Sequence, residues 1–412
     1  MKNNILKLYK YVLFILIIFI LPSLLNAIFQ SETIGRYIIS IVFIAVFLNI
    51  REIIGIRFNK STGIIFIIIL LWLFVAPINT PYKFDSLSFF LTIGSIIIFF
   101  IGAYIISNKY ISLSEFEINI VIVSTLWFMT FVAMFSLIIN KFEINIIRLN
   151  YFPFAEPAHF VRLYGVFLIS AMCIKLKFKN KLGFLIISFI MAMAFPSLSL
   201  LVYSLIALII LGIFQKLFNL SMKKMLIWIF ILLLLLLLLL FSDANYFIER
   251  IATPENSKNF TALVFWQGVE AAKISLLETN FIGIGLHQLG NEPANNISEK
   301  IFFLTQDGIS GITELNRKDG GFVAAKLISE MGALGVALII LYIFLLFKSI
   351  HLIKKNTSDT HVKVAAAVAL AVAPEIFLRG GGYFSGSMLF LISSIIFLKS
   401  VKYITNAKKI SL

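Results

Sequence analysis

The densest group of side chains able to do chemistry in this 412-residue chain is Glu156-Pro157-Ala158-His159-Phe160-Val161-Arg162. A proline directly after Glu156 suits the first turn of a helix. His159 and Arg162 are three apart and so share a face, with Glu156 just ahead of the helix at its positive end. A carboxylate that accepts a proton, an imidazole and a guanidinium suffice to activate a sugar hydroxyl and to hold a phosphate. The same residues also read as an interfacial helix start, in which Glu156 caps and Arg162 reaches for headgroups.

The elements that must position these groups are apolar. The chain is 60% hydrophobic and only 13% charged, with a mean hydropathy of +1.00, which excludes an ordinary soluble domain. The expected fold class is an all-α integral membrane protein with about 12 transmembrane helices and one large, partly helical periplasmic loop. Spans are expected near 11–29, 34–50, 64–79, 86–106, 118–139, 158–174, 182–195, 198–214, 225–241, 322–347, 362–378 and 383–398. Residues 1–241 then hold the first nine spans, 242–321 the loop, and 322–412 the last three spans and a cytoplasmic tail. Residues 182–214 are flanked by lysines on both sides and carry Pro196 between them, which fits two short helices or a re-entrant hairpin. The single Cys173 lies in an apolar run, so no disulfide framework is expected.

The net charge of +15 divides along this topology. With both termini cytoplasmic, the inner segments and inner helix ends hold 22 of the 35 Lys and Arg, against four acids, Glu52, Glu115, Glu117 and Asp359. The basic balance is therefore the positive-inside bias of a many-spanned protein, and no nucleic-acid partner is needed to explain it. Arginine runs against that bias: Arg36, Arg148, Arg162, Arg250, Arg317 and Arg379 all fall on the outer side. Its planar fork binds phosphate or carboxylate at two points, although exposed pairing with outer acids is the plainer account for any one of them.

Ionisable residues avoid the middle of the spans and gather at their outer ends: Glu156, His159 and Arg162; Lys326 and Glu330; Glu375 and Arg379. Transporters and channels usually carry polar groups near the midplane, so this layer favours a reaction at the outer leaflet. In the loop, an apolar-patterned helix is expected to open at Phe260 with Ser257 as its cap. The following turn, Gly283, Gly285 and Gly290 with His287 among them, is expected to be a bend on the membrane surface. It lacks the strand context of a dinucleotide fingerprint. No metal-ligand cluster appears in the sequence.

Glu156-Pro157-Ala158-His159-Phe160, followed by Asp319-Gly320-Gly321-Phe322 and by Glu330, Gly332 and Gly335, resembles the O-antigen polymerase (Wzy) group. In that group a Glu-Pro-Ser-His-Phe-like element and a Glu-x-Gly-x-x-Gly helix entry flank a large late loop, and the turn at Gly283 and Gly285 matches as well. The likeness is spread over most of the chain in short, tolerant motifs. It implies a bacterial inner-membrane protein that joins oligosaccharide repeats carried on undecaprenyl pyrophosphate at the periplasmic face. The growing chain would pass to the non-reducing end of the next lipid-linked unit, without metal or cofactor. The lipid bilayer and the undecaprenyl-pyrophosphate-linked oligosaccharide are the implied partners, with room for a chain-length regulator and a flippase. Glu156, His159 and Asp319 are the candidate bases, and Arg148, Arg162, Arg250, Arg317 and Arg379 the candidate pyrophosphate-holding cations. The chain lacks the family's usual Arg-x-x-Gly-x-Phe ahead of the Glu-Pro element; Arg148 precedes it without the glycine and Arg162 follows it. The related O-antigen ligases carry His-Asn where Gly321 stands here, which favours the polymerase. A ligase acting on lipid A-core is the nearest alternative and a lipid-linked oligosaccharide flippase a more distant one.

Overall fold

The computed structural model describes residues 20–26, 34–50, 60–141, 157–194, 197–214, 253–255, 257–292, 295–305, 317–355 and 359–410, with a few isolated positions besides. The expected span at 225–241 and the candidate residues Arg148, Glu156 and Arg250 lie outside the described residues.

Among the described residues all regular structure is helical. In chain order the helices are α1 (Ile34–Leu48), α2 (Lys60–Asn79), α3 (Ser86–Ile111), α4 (Glu115–Lys141), α5 (Pro157–Cys173), α6 (Phe178–Ala194), α7 (Leu198–Phe214), α8 (Phe260–Glu278), α9 (Asn296–Thr305), α10 (Val323–Met331), α11 (Ala333–Lys354), α12 (Thr360–Ala371), α13 (Ala373–Phe377) and α14 (Gly386–Ile410). A single 3-10 turn spans Arg317–Asp319. Five segments are long and apolar enough to cross a membrane: Ser86–Ile111, Glu115–Phe135, Phe260–Glu278, Ala333–Lys354 and Thr360–Phe377. Shorter apolar helices lie at Ile34–Leu48, Ala158–Cys173, Leu198–Gly212 and Gly386–Ser400. The chain is thus a helical membrane protein. Phe90, Leu91 and Phe100 of α3 and Leu341, Phe344 and Phe347 of α11 face outward, as lipid-facing surfaces do.

At the centre stands α5, apolar all round beyond the first turns that carry His159 and Arg162, as a helix buried on every side must be. Phe160, Leu163, Tyr164, Leu168, Ile169 and Met172 are fully buried against α4, α7 and α12. Its Gly165 is required by close approach: a Cβ there would lie 2.2 Å from the ring of Tyr203 on α7. The stretch expected as two short spans or a re-entrant hairpin forms two helices, α6 and α7, each 17 residues or about 25 Å, packed on one another. Elsewhere α14 lies against α3 and α12, α1 against α3, and α8 against α10.

Two expectations need correction. The span expected at 322–347 is two helices, broken at Gly332. The span expected at 362–378 is present as Thr360–Phe377, with a turn at Val372 and Pro374 in the first turn of α13. Helix α8 opens at Phe260 as expected, but its cap is Asn259, whose side chain accepts from the Thr261 N–H. Ser257 instead accepts from the Asn259 N–H and so braces the cap. Asn259→Ala is expected to lower unfolding stability by about 1 kcal/mol, read as a shifted thermal midpoint in detergent.

Candidate functional site

The glycine turn after α8 packs into the protein. Ile284 and Leu286 are fully buried, and the Ile284 and Gly285 N–H groups donate to the Ser329 and Glu330 carbonyls at 2.9 and 3.0 Å. In return the Ala333 N–H donates to the Phe281 carbonyl at 2.7 Å. The turn therefore occupies the break between α10 and α11 backbone to backbone. Side chains at Gly283 or Gly332 would intrude: a Cβ would fall 2.5 Å from the Gly332 nitrogen in the first case and 2.1 Å from the Phe281 oxygen in the second. Two motifs that are separate in sequence are one joint in space.

A second glycine joint sets the segment before α10. Gly268 of α8 lets the Gly320 carbonyl approach to 2.1 Å from where its Cβ would be, and the Gly380 N–H donates to the Gly321 carbonyl at 3.0 Å. These close approaches hold Asp319, α10 and the Arg379–Gly382 segment around one cavity of about 760 Å³. Its wall takes Arg36 from α1, Ser88, Thr92 and Ser95 from α3, His159 and Arg162 from α5, and Thr261 and Phe265 from α8. His287, Asp319, Lys326, Arg379 and Tyr383 complete it.

Four cations, Arg36, Arg162, Lys326 and Arg379, thus meet two imidazoles, and Asp319 is the one carboxylate among the described lining residues. Behind the wall, Arg162 is held from two sides. Its Nη2 donates to the Gly380 carbonyl at 3.2 Å, and Nη1 lies 4.0 Å from Oε1 of Glu375, a fully buried carboxylate that accepts from the Ser387 hydroxyl. A Cβ at Gly381 would lie 1.8 Å from Nη1, so a side chain there would displace the guanidinium from this position. His159 has Ser23 Oγ 3.5 Å from Nδ1, and the charges of Arg162 and Arg379 both bear on it.

His287 opens into the cavity on the other side. Enclosure by the surrounding protein holds its imidazole below the ordinary histidine value, and the positive charges of Lys326 and Arg36 add to this while Asp319 and Asp85 oppose it. Asp85 caps α3, where the side-chain and backbone hydrogen bonds of Ser88 hold its carboxyl below the usual range. The wall thus carries two groups of interacting charges, His159 with Arg162 and Arg379, and His287 with Lys326, Asp319 and Arg36.

Of the residues expected from sequence, His159, Arg162, Asp319 and Arg379 are brought together. Arg317 is placed elsewhere: its Nε lies 3.8 Å from Oε1 of the buried Glu292, and its Nη2 donates to the Glu292 carbonyl. The guanidinium pins the loop rather than facing the cavity. Burial lifts the Glu292 carboxyl above the usual range, against the pull of the Gly290 N–H and of Arg317. Three wall residues were not among the expected site residues: Arg36, seen only as one of the outer arginines, Lys326, seen only as an outer helix end, and His287, set aside within the loop. The i, i+4 spacing of Lys326 and Glu330 was the available signal. Among the described residues no group of three His, Cys, Asp or Glu is placed to hold a metal ion.

No protein-family model, curated protein or solved structure matches the chain.

Proposed function

We propose that this protein is a repeat-unit polymerase of surface polysaccharide. It would transfer the growing glycan from undecaprenyl pyrophosphate to the non-reducing end of the next lipid-linked repeat, at the periplasmic face of the bacterial inner membrane, with both termini cytoplasmic. The observation that carries this reading is the single cavity in which four cations face one carboxylate and two imidazoles. Such a surplus of fixed positive charge suits a diphosphate, whose leaving in a glycosyl transfer develops further negative charge. Arginine supplies three of the four cations, the residue whose planar donors match phosphate oxygens. At about 760 Å³ the space takes a pyrophosphate and the sugars on either side of the bond being made, within the range of small-molecule sites.

In this reading Arg162 and Arg379 hold the donor pyrophosphate, with Arg36 facing them across the cavity. A proton acceptor among the wall residues takes the hydrogen of the acceptor hydroxyl as its oxygen attacks the anomeric carbon. The bond from that carbon to phosphate oxygen breaks, and its electron pair leaves with the lipid pyrophosphate. The test is the purified protein in liposomes with a defined lipid-linked repeat. A ladder of lengthening glycans on the lipid is expected. Release of glycan only onto added lipid A-core would instead make it a ligase, and movement of repeats across the bilayer without bond formation would make it a flippase.

A further inference from the structure

One cation of the cavity wall, Lys326, is paired behind it with a carboxylate that the reading above leaves unused. Glu330 on α10 is fully buried, and neither carboxylate oxygen has a hydrogen-bond partner. The Tyr383 hydroxyl and the His287 and Leu289 N–H groups face it without closing a hydrogen bond. Its nearest cation is Lys326, one turn earlier, with Nζ 3.9 Å from Oε1. That ammonium donates to the Lys318 carbonyl at 3.0 Å, lies 5.4 Å from the centre of the Tyr383 ring and stands 3.9 Å from Oδ1 of Asp319. The Lys326 side chain is 6% exposed and that of Asp319 49%. The order is therefore carboxylate, ammonium, carboxylate, running from the sealed interior to the open cavity.

A buried ion pair seldom adds stability over well-packed apolar side chains, and a carboxylate without hydrogen bonds is costly to enclose. Such a group directly behind a cavity wall points to work done there. We propose that Asp319 is the base that takes the proton from the acceptor hydroxyl, and that Lys326 and Glu330 are its positioning residues. Lys326 fixes the Asp319 carboxylate, and Glu330 offsets the ammonium so that Asp319 still accepts a proton.

The proposal rests on the glycosyl-transfer reading. The acceptor O–H bond breaks and its proton passes to Asp319. The oxygen bonds to the donor anomeric carbon, and the lipid pyrophosphate departs with the electron pair toward Arg162 and Arg379. The proton then leaves Asp319 for water through the open cavity. Across this step the three-residue line goes from one net negative charge to none. Without Glu330 it would go from neutral to positive beside an ammonium, which opposes proton uptake. The other charged groups near this end are Lys318 beside Asp319, Arg36 of α1 and Asp85 at the start of α3, with the titratable His287 of the glycine turn among them, while Arg317 is engaged with Glu292. His159 shares the cavity with Arg162 and Arg379, whose charges bear on it and suit a departing anion better than an arriving proton.

The test is steady-state elongation by the purified full chain in liposomes with a defined lipid-linked repeat. Asp319→Asn is expected to lower kcat by at least ~100-fold with KM within about threefold of wild type. Lys326→Met leaves the buried Glu330 uncompensated and is expected to lower both thermal stability and kcat, whereas Glu330→Gln leaves Lys326 beside Asp319 and is expected to lower kcat chiefly. The double variant Lys326→Met/Glu330→Gln carries neither charge, and is expected to regain thermal stability while its kcat stays down about tenfold or more. Wild-type kcat in Asp319→Asn would overturn the base assignment. Recovery of kcat together with stability in the double variant would show the pair to be structural and overturn the positioning role. A wild-type protein that elongates nothing would instead overturn the glycosyl-transfer reading, and the base with it.

Discussion

Arg162→Ala is expected to abolish glycan elongation and to destabilise the protein at once. The guanidinium lines the cavity and is also the cation beside the fully buried Glu375, 4.0 Å from its Oε1. Removing one partner of a buried pair leaves an uncompensated charge, at a cost on the order of 3 kcal/mol. Removing a donor aimed at developing charge costs about 100- to 1,000-fold in rate. The two effects separate in Arg162→Ala/Glu375→Gln, where the carboxamide can keep the Ser387 contact and no bare charge remains. Its thermal midpoint is expected to return toward wild type while elongation stays absent. Arg162→Lys keeps the charge but loses the two-pronged grip on phosphate and on the Gly380 carbonyl, so it is expected to fall between. Full elongation by folded Arg162→Ala would remove this residue from the pyrophosphate site.

Gly332→Ala carries the largest expected structural effect. The residue sits at φ 58° and ψ −130°, a conformation open essentially to glycine alone, and its Cβ would come within 2.1 Å of the Phe281 oxygen. That oxygen accepts from the Ala333 N–H, so it cannot retreat without breaking the joint between the glycine turn and the α10–α11 break. A loss of roughly 3–5 kcal/mol is expected, measured as a lowered thermal midpoint or failure to purify as a monodisperse species. Since α10 carries Lys326 and Glu330, a surviving fraction should also lose elongation. Gly94→Ala is the control: nothing lies within 4 Å of its Cβ position in α3, and a gain of about 0.5–1 kcal/mol is expected there.

That joint also marks how far the amino-acid sequence could be read. Apolar runs located α1, α3, α5, α6, α7 and α11, because a helix that shields its backbone from lipid must be apolar along its length. They did not reveal the break at Gly332 or the turn at Val372, since apolar composition continues across both. Gly332 ends α10 because the Phe281 carbonyl, 51 positions away in sequence, takes the Ala333 N–H. The Asn259 cap was missed by two residues because Ser257 and Asn259 are both good caps, and only the hydrogen bonds distinguish them. His159 and Arg162 were legible as one face of one helix. Arg36, His287 and Lys326 were not legible as partners, because the glycine turn and α10 meet through close glycine contacts at 283, 320 and 332, and α1 reaches the same cavity from far away in the sequence.

The central claim is that this cavity holds a lipid-linked pyrophosphate. The direct measurement is the affinity of the purified protein for a short-chain polyprenyl pyrophosphate, compared with the corresponding polyprenol and competed by inorganic pyrophosphate. The account predicts that the pyrophosphate binds at least ~10-fold tighter than the alcohol, a difference of about 1.4 kcal/mol. It also predicts that added salt and the paired substitution Arg162→Ala/Glu375→Gln weaken that preference. Equal affinity for the pyrophosphate and the alcohol in the wild-type protein would contradict it.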